Sequence, residues 1–161
     1  MTAPRSATLA SHSGIDLRRL WWIGPSTVVA AIIAVLAVRV IAFAALDLSP
    51  EFVPLTWSAL TVFTAVLVSA GVIVFAAAAV MAADPVRVYR RIAFGALIVS
   101  VIPDLLLPGS GPGATWPATL VLMVMHVAAW WPTVAILTRW TGRPNTGRPA
   151  RTDAGGVSGV P

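Results

Sequence analysis

Cysteine, lysine and glutamine are absent from this 161-residue chain, and asparagine occurs once, at Asn145. Without cysteine there are no disulfides, no thiol nucleophile, no Cys-ligated zinc and no iron–sulfur cluster. The lack of lysine leaves all eleven basic residues as Arg, which reads as a GC-rich coding sequence and has no mechanistic weight. Charge is scarce as well: 11% of residues are charged and 58% are hydrophobic. A soluble domain carries roughly 25% charged residues, so this chain lacks the polar side chains to cover itself in water. Its length suits one small unit.

What is present falls into four apolar segments, at about residues 21–46, 55–82, 88–107 and 116–140. A membrane span needs about 20 apolar residues at 1.5 Å rise each. The third segment is the weakest, because its apolar part starts only at Ile92 and it contains Pro103 and Asp104. Pro25 falls in the first turn of the first segment, where its missing N–H is harmless. Backbone groups inside hydrocarbon must be bonded within the segment, and a barrel would show short alternating strands. The expectation is therefore an all-α integral membrane protein: a four-helix bundle running up-down-up-down over residues 20–140, with a polar tail at 1–19 and a disordered tail at 141–161.

Arginine sets the orientation. The N-terminal tail holds Arg5, Arg18 and Arg19; the loop between segments two and three holds Arg87, Arg90 and Arg91; the C-terminal tail holds Arg139, Arg143, Arg148 and Arg151. The other two loops have none. Successive polar stretches thus carry 3, 0, 3, 0 and 4 Arg, which places both termini in the cytoplasm of a multi-pass cell-membrane protein. Trp21, Trp22 and Trp140 mark the inner interface; Trp57 and Trp116 mark the outer one. The net charge of +5 follows this topological pattern, so the expected partner is the lipid bilayer and not nucleic acid. Ala42-Phe43-Ala44 looks like a signal-peptide cleavage site, but a signal core of about 7–15 residues is shorter than this segment.

Three ionisable residues interrupt the apolar segments: Arg39, Asp104 and His126. An Arg or Asp at the bilayer centre costs about 2.5–3.5 kcal/mol on the insertion scale. Counted from the outer ends of their segments, the three lie about 10, 5 and 15 Å deep, all in the outer half. Thr61 and Thr64 occupy the same layer and complete a candidate intramembrane polar site. The Pro103 ring displaces the carbonyl of Val99, and a guanidinium could satisfy both that carbonyl and Asp104. His126 is the natural titrating member, because imidazole changes charge in the physiological range.

Two readings stay open. In one, the cluster serves a binding, sensing or transport component for a proton or small ligand; transport through four helices would call for a homo-oligomer. In the other, an Arg–Asp pair is helix–helix glue in a structural or accessory subunit docked on a membrane-protein partner. No nucleophile–base pair supports catalysis, so no catalytic residue is assigned. His12 and His126 cannot close a metal site, and no cofactor is expected. The Gly109–Gly113 turn lacks the lysine of a phosphate loop.

The stretches from Tyr89-Arg90-Arg91-Ile92-Ala93 to Pro103-Asp104-Leu105, Pro112-Gly113-Ala114-Thr115-Trp116, and Leu122 through Met125-His126-Val127 resemble a family of small four-span membrane proteins from high-GC Gram-positive bacteria. That family is known as a domain of unknown function, and the resemblance covers about residues 21–139. It implies a bacterial cell-membrane location and supplies no activity.

Overall fold

A computed structural model of the protein describes residues 17–140. The expectations for the tails at 1–16 and 141–161 lie outside the described residues. Within them the chain is all-helical, with no strand: α1 at Leu17–Ala45, a 3-10 turn at Val53–Leu55, α2 at Trp57–Met81, α3 at Pro85–Asp104 and α4 at Trp116–Trp140.

The helix ends follow local chemistry. α1 starts at Leu17, four residues before the apolar segment, because the Leu17-Arg18-Arg19-Leu20 turn continues into it; Pro25 therefore lies inside the helix rather than in its first turn. Nearby, Ser26 and Thr27 turn their hydroxyls back onto the carbonyls of Trp22 and Ile23, at 2.8 and 2.7 Å. Pro54 favours the 3-10 turn that delays α2 until Trp57. Thr56 then caps α2: its hydroxyl donates to the Val53 carbonyl and accepts from the Ala59 amide. At the start of α3, Asp84 accepts from the Arg87 amide at 3.1 Å, and Pro85 fills the first helical position, where no N–H is needed. α3 ends at Asp104, just after Pro103.

α1 packs between α2 and α4, and α3 packs between the same two helices from the other side. α1 and α3 thus stand diagonally across the bundle. Two apolar clusters fill it. One joins Val35, Ala42, Leu60, Ala118, Leu122 and Met125 to Leu48, Phe52, Leu55 and Ala114 from the connections α1–α2 and α3–α4. The other gathers Phe75, Tyr89, Val134 and Leu137, with the Phe75 and Tyr89 rings edge-on at 5.0 Å.

The two connections touch. Gly113 has φ +70°, and a Cβ there would lie 3.0 Å from the Cβ atoms of both Phe52 and Ser49. Only glycine combines that backbone conformation with that approach. The connections α1–α2 and α3–α4 therefore share one end of the bundle.

Three helices are long and apolar enough to cross a membrane: Arg18–Ala45, Trp57–Met81 and Trp116–Trp140. Their most apolar windows are only 17, 22 and 33% buried inside the protein, so most of their hydrophobic surface faces outward. A water-soluble bundle would turn that surface inward. α3 falls short of the other three for a simple reason: every 18-residue stretch within its 20 residues contains Arg87, Arg90 and Arg91.

Candidate functional site

Asp104 closes α3, and His126 lies ten residues into α4. Helix packing brings them together: His126 Nδ1 is 3.1 Å from Asp104 Oδ2 and 2.9 Å from the Leu122 carbonyl oxygen one turn earlier. Both neighbours of Nδ1 are acceptors, so Nδ1 carries the proton in this arrangement. The N–H aligns with the Leu122 carbonyl. The carboxylate is close but off that axis, and Oδ2 is buried without an aligned donor. Asp104 is 7% exposed. A carboxyl group so placed is costly, and it needs a charge or donor to offset its desolvation.

The pair lines a cavity of about 550 Å³. Three helices give its walls stripes at helical spacing, Leu60, Thr64 and Leu67 from α2, Ser100, Pro103 and Asp104 from α3, and Leu122, Met125, His126 and Ala129 from α4, and α1 adds Val35. Val53 and Pro54 of the 3-10 turn reach its rim. The site is thus mainly apolar, with a few polar groups: Thr64 on α2, Ser100 and Asp104 on α3, and His126 on α4. Binding pockets for small apolar molecules have this composition and a volume of roughly 300–1,000 Å³.

The sequence-expected residues divide into two groups. Asp104, His126 and Thr64 line the cavity. Arg39 does not join them: no ion pair within 4.0 Å links it to Asp104. Its Nε donates to the Leu55 carbonyl at 2.8 Å. Its guanidinium carbon lies 4.1 Å from the centre of the Trp57 ring and 4.4 Å from that of Phe43. That set ties α1 to the 3-10 turn and the start of α2, and the aromatic faces stabilise the charge. The reason is azimuth: α1 and α3 are diagonal, so the similar depths expected from the sequence do not make Arg39 and Asp104 neighbours. Thr61 donates its hydroxyl to the Trp57 carbonyl at 2.8 Å and is not part of the cavity wall.

Sequence reasoning passed over Ser100 and the apolar walls. Ser100 donates to the Leu97 carbonyl at 2.8 Å. Leu60, Thr64 and Leu67 share one face of α2 at i, i+4 and i+7, but its other faces are as apolar, so the sequence carries no signal that singles out the walls.

The sequence model of the DUF6069 family, described as a family of unknown function, matches residues 15–143. The chain belongs to the DUF6069 family. No curated protein and no solved structure matches it. In this DUF6069 member the matched region takes in all four helices, so the Asp104–His126 cavity lies wholly inside the family's sequence. Among the described residues, no three His, Cys, Asp or Glu side chains come together as metal ligands would.

Proposed function

We propose that this DUF6069 protein is a four-span protein of the bacterial cell membrane, with both termini cytoplasmic, and that its Asp104–His126 cavity binds a small apolar ligand with a hydrogen-bonding or cationic head. The Arg pattern of 3, 0, 3, 0 and 4 supports the orientation. So does the contact of Gly113 with Ser49 and Phe52, since both Arg-free connections then lie at one end. α3 serves as the fourth span: its first turns carry three Arg to the inner interface, and the 16 apolar-rich residues 92–107 extend about 24 Å toward the outer one. Snorkelling of Arg90 and Arg91 covers the rest of a hydrocarbon layer about 30 Å thick.

The observation that carries the ligand reading is the Asp104 carboxylate. It is nearly buried, it has His126 beside it, and it stands on the wall of a mainly apolar cavity. A head group donating a hydrogen bond would supply what Oδ2 lacks. Intramembrane ionisable residues mark binding sites and proton pathways by default. Filling the cavity tests this reading. Ala59 lines it and is replaced in Ala59→Trp; Asp104→Asn changes the head-group contact and keeps the shape. Wild type and both variants are purified in mild detergent and denatured, and the released small molecules are measured by mass spectrometry. A species carried by wild type and lost from both variants is the expected result; identical profiles with folded variants would overturn the proposal.

One observation favours a second reading. The pair spans two helices, Asp104 on α3 and His126 on α4, so it also serves as an inter-helix tie in a structural subunit. In that case the released molecules stay the same while the folded fraction of His126→Leu drops.

A further inference from the structure

A second groove, also of about 550 Å³, opens at the other end of the bundle between α3 and α4. It has a different chemistry. Arg87, Arg90 and Arg91 stand on one face of α3 at helical spacing, and Phe94 continues the same stripe. Val86 and, from α4, Trp130 complete an apolar floor. Asp84 is the one carboxylate in the wall, and it lies 3.3 Å from Arg87 Nε. Three guanidiniums against one carboxylate leave the groove at net +2. Among the described residues, neither Arg90 nor Arg91 has a carboxylate within 4.0 Å, and both are exposed.

From Arg87 to Phe94 the stripe runs about 10 Å along the helix axis, from charge to aromatic ring. Lipid phosphate, glycerol backbone and first acyl carbons follow the same order from charged to apolar. Guanidinium groups match phosphate oxygens in geometry, and basic pockets between helices on the cytoplasmic side suit lipid head groups. We infer that the α3–α4 groove is a docking site for the phosphate of an anionic phospholipid head group, held by Arg90 and Arg91 with Phe94 and Trp130 under its glycerol and upper acyl chains. The site relies on the bilayer placement proposed above and not on the Asp104–His126 cavity.

The test uses the full chain in mild detergent with equal amounts of phosphatidylglycerol and phosphatidylcholine, read by native mass spectrometry. Wild type retains phosphatidylglycerol in preference. Arg90→Gln with Arg91→Gln lowers that preference by roughly 30-fold, the effect two interfacial arginines have together. Arg148→Gln with Arg151→Gln removes the same charge from the C-terminal tail and leaves the preference unchanged. Equal losses in both double variants would show general charge attraction and overturn the site. Displacement of phosphatidylglycerol by millimolar inorganic phosphate would also overturn it, because the groove would then read a free anion. Failure of membrane placement has its own sign: wild-type protein recovered outside the membrane fraction before any lipid is added.

Discussion

His126 Nδ1 stands 3.1 Å from Asp104 Oδ2, yet the proton it carries points at the Leu122 carbonyl 2.9 Å away. The imidazole is held by its own helix and offered to the carboxylate of another. That arrangement fixes the ring while leaving Asp104 Oδ2 without an aligned donor.

The first prediction concerns this pair. His126→Leu leaves a buried carboxylate with no neighbouring donor, and Asp104→Leu leaves the imidazole beside an apolar wall. The double replacement removes both polar groups at once, so it costs less than the sum of the single changes. Polar contacts between membrane helices average about 0.6 kcal/mol, with a maximum of about 1.7, and the coupling should fall in that range. Unfolding midpoints of wild type, the two singles and the double close the cycle. Strict additivity would mean the proximity carries no interaction.

Arg39 gives the second prediction. Its stabilising contacts are the Leu55 carbonyl and the rings of Phe43 and Trp57. Arg39→Leu should therefore destabilise by about 2–4 kcal/mol, the combined size of a charged hydrogen bond and a cation–π contact. It should couple to Trp57→Ala and be additive with Asp104→Leu to within about 0.5 kcal/mol, as sites without shared partners are. The same unfolding assay reads both cycles. Coupling of Arg39 to Asp104 instead of Trp57 would contradict the geometry.

These residues show what the sequence could and could not tell. Four helices were legible, because long apolar stretches set apart by short polar ones leave the backbone no other way to bond itself in an apolar setting. Azimuth was not legible. In a soluble helix the apolar stripe shows which face packs; α1, α2 and α4 are apolar on every side, so no stripe distinguishes a packed face from a lipid-facing one. Arg39 thus looked like a partner for Asp104 at similar depth, whereas α1 stands diagonal to α3 and Arg39 turns to the 3-10 turn. That turn also went unread, because the sequence places Val53 and Pro54 in the loop and Leu55 at the start of the second segment, which divides the three residues that form it.

A third prediction compares two glycines in one turn. Gly113 has φ +70° and lies against Ser49 and Phe52, while a Cβ at Gly111 would meet nothing within 4 Å. Gly113→Ala should cost at least the roughly 1–2 kcal/mol of a left-handed non-glycine residue, with the contact to Phe52 adding to it. Gly111→Ala should stay within about 0.5 kcal/mol of wild type, as a surface change does. Thermal stability in detergent separates the two. Equal tolerance would mean the two Arg-free connections are not packed together.

The last prediction tests orientation, and the missing cysteine makes it clean. Because the chain has no native thiol, each introduced cysteine is the only one present. Ser110 lies exposed in the α3–α4 connection, and Ala83 lies exposed between α2 and α3. If both termini are cytoplasmic, Ser110→Cys reacts with a membrane-impermeant maleimide in intact cells, and Ala83→Cys reacts only after the membrane is opened. α3 decides the outcome. Its 20 residues hold three Arg and a buried Asp, so insertion depends on those arginines staying at the inner interface while the stretch from Ile92 to Leu107 crosses. Were α3 to lie outside the bilayer, Ser110 and Ala83 would be on the same side, and the two cysteines would label together. Opposite accessibility would establish the fourth span, and with it the outer-half position of the Asp104–His126 cavity.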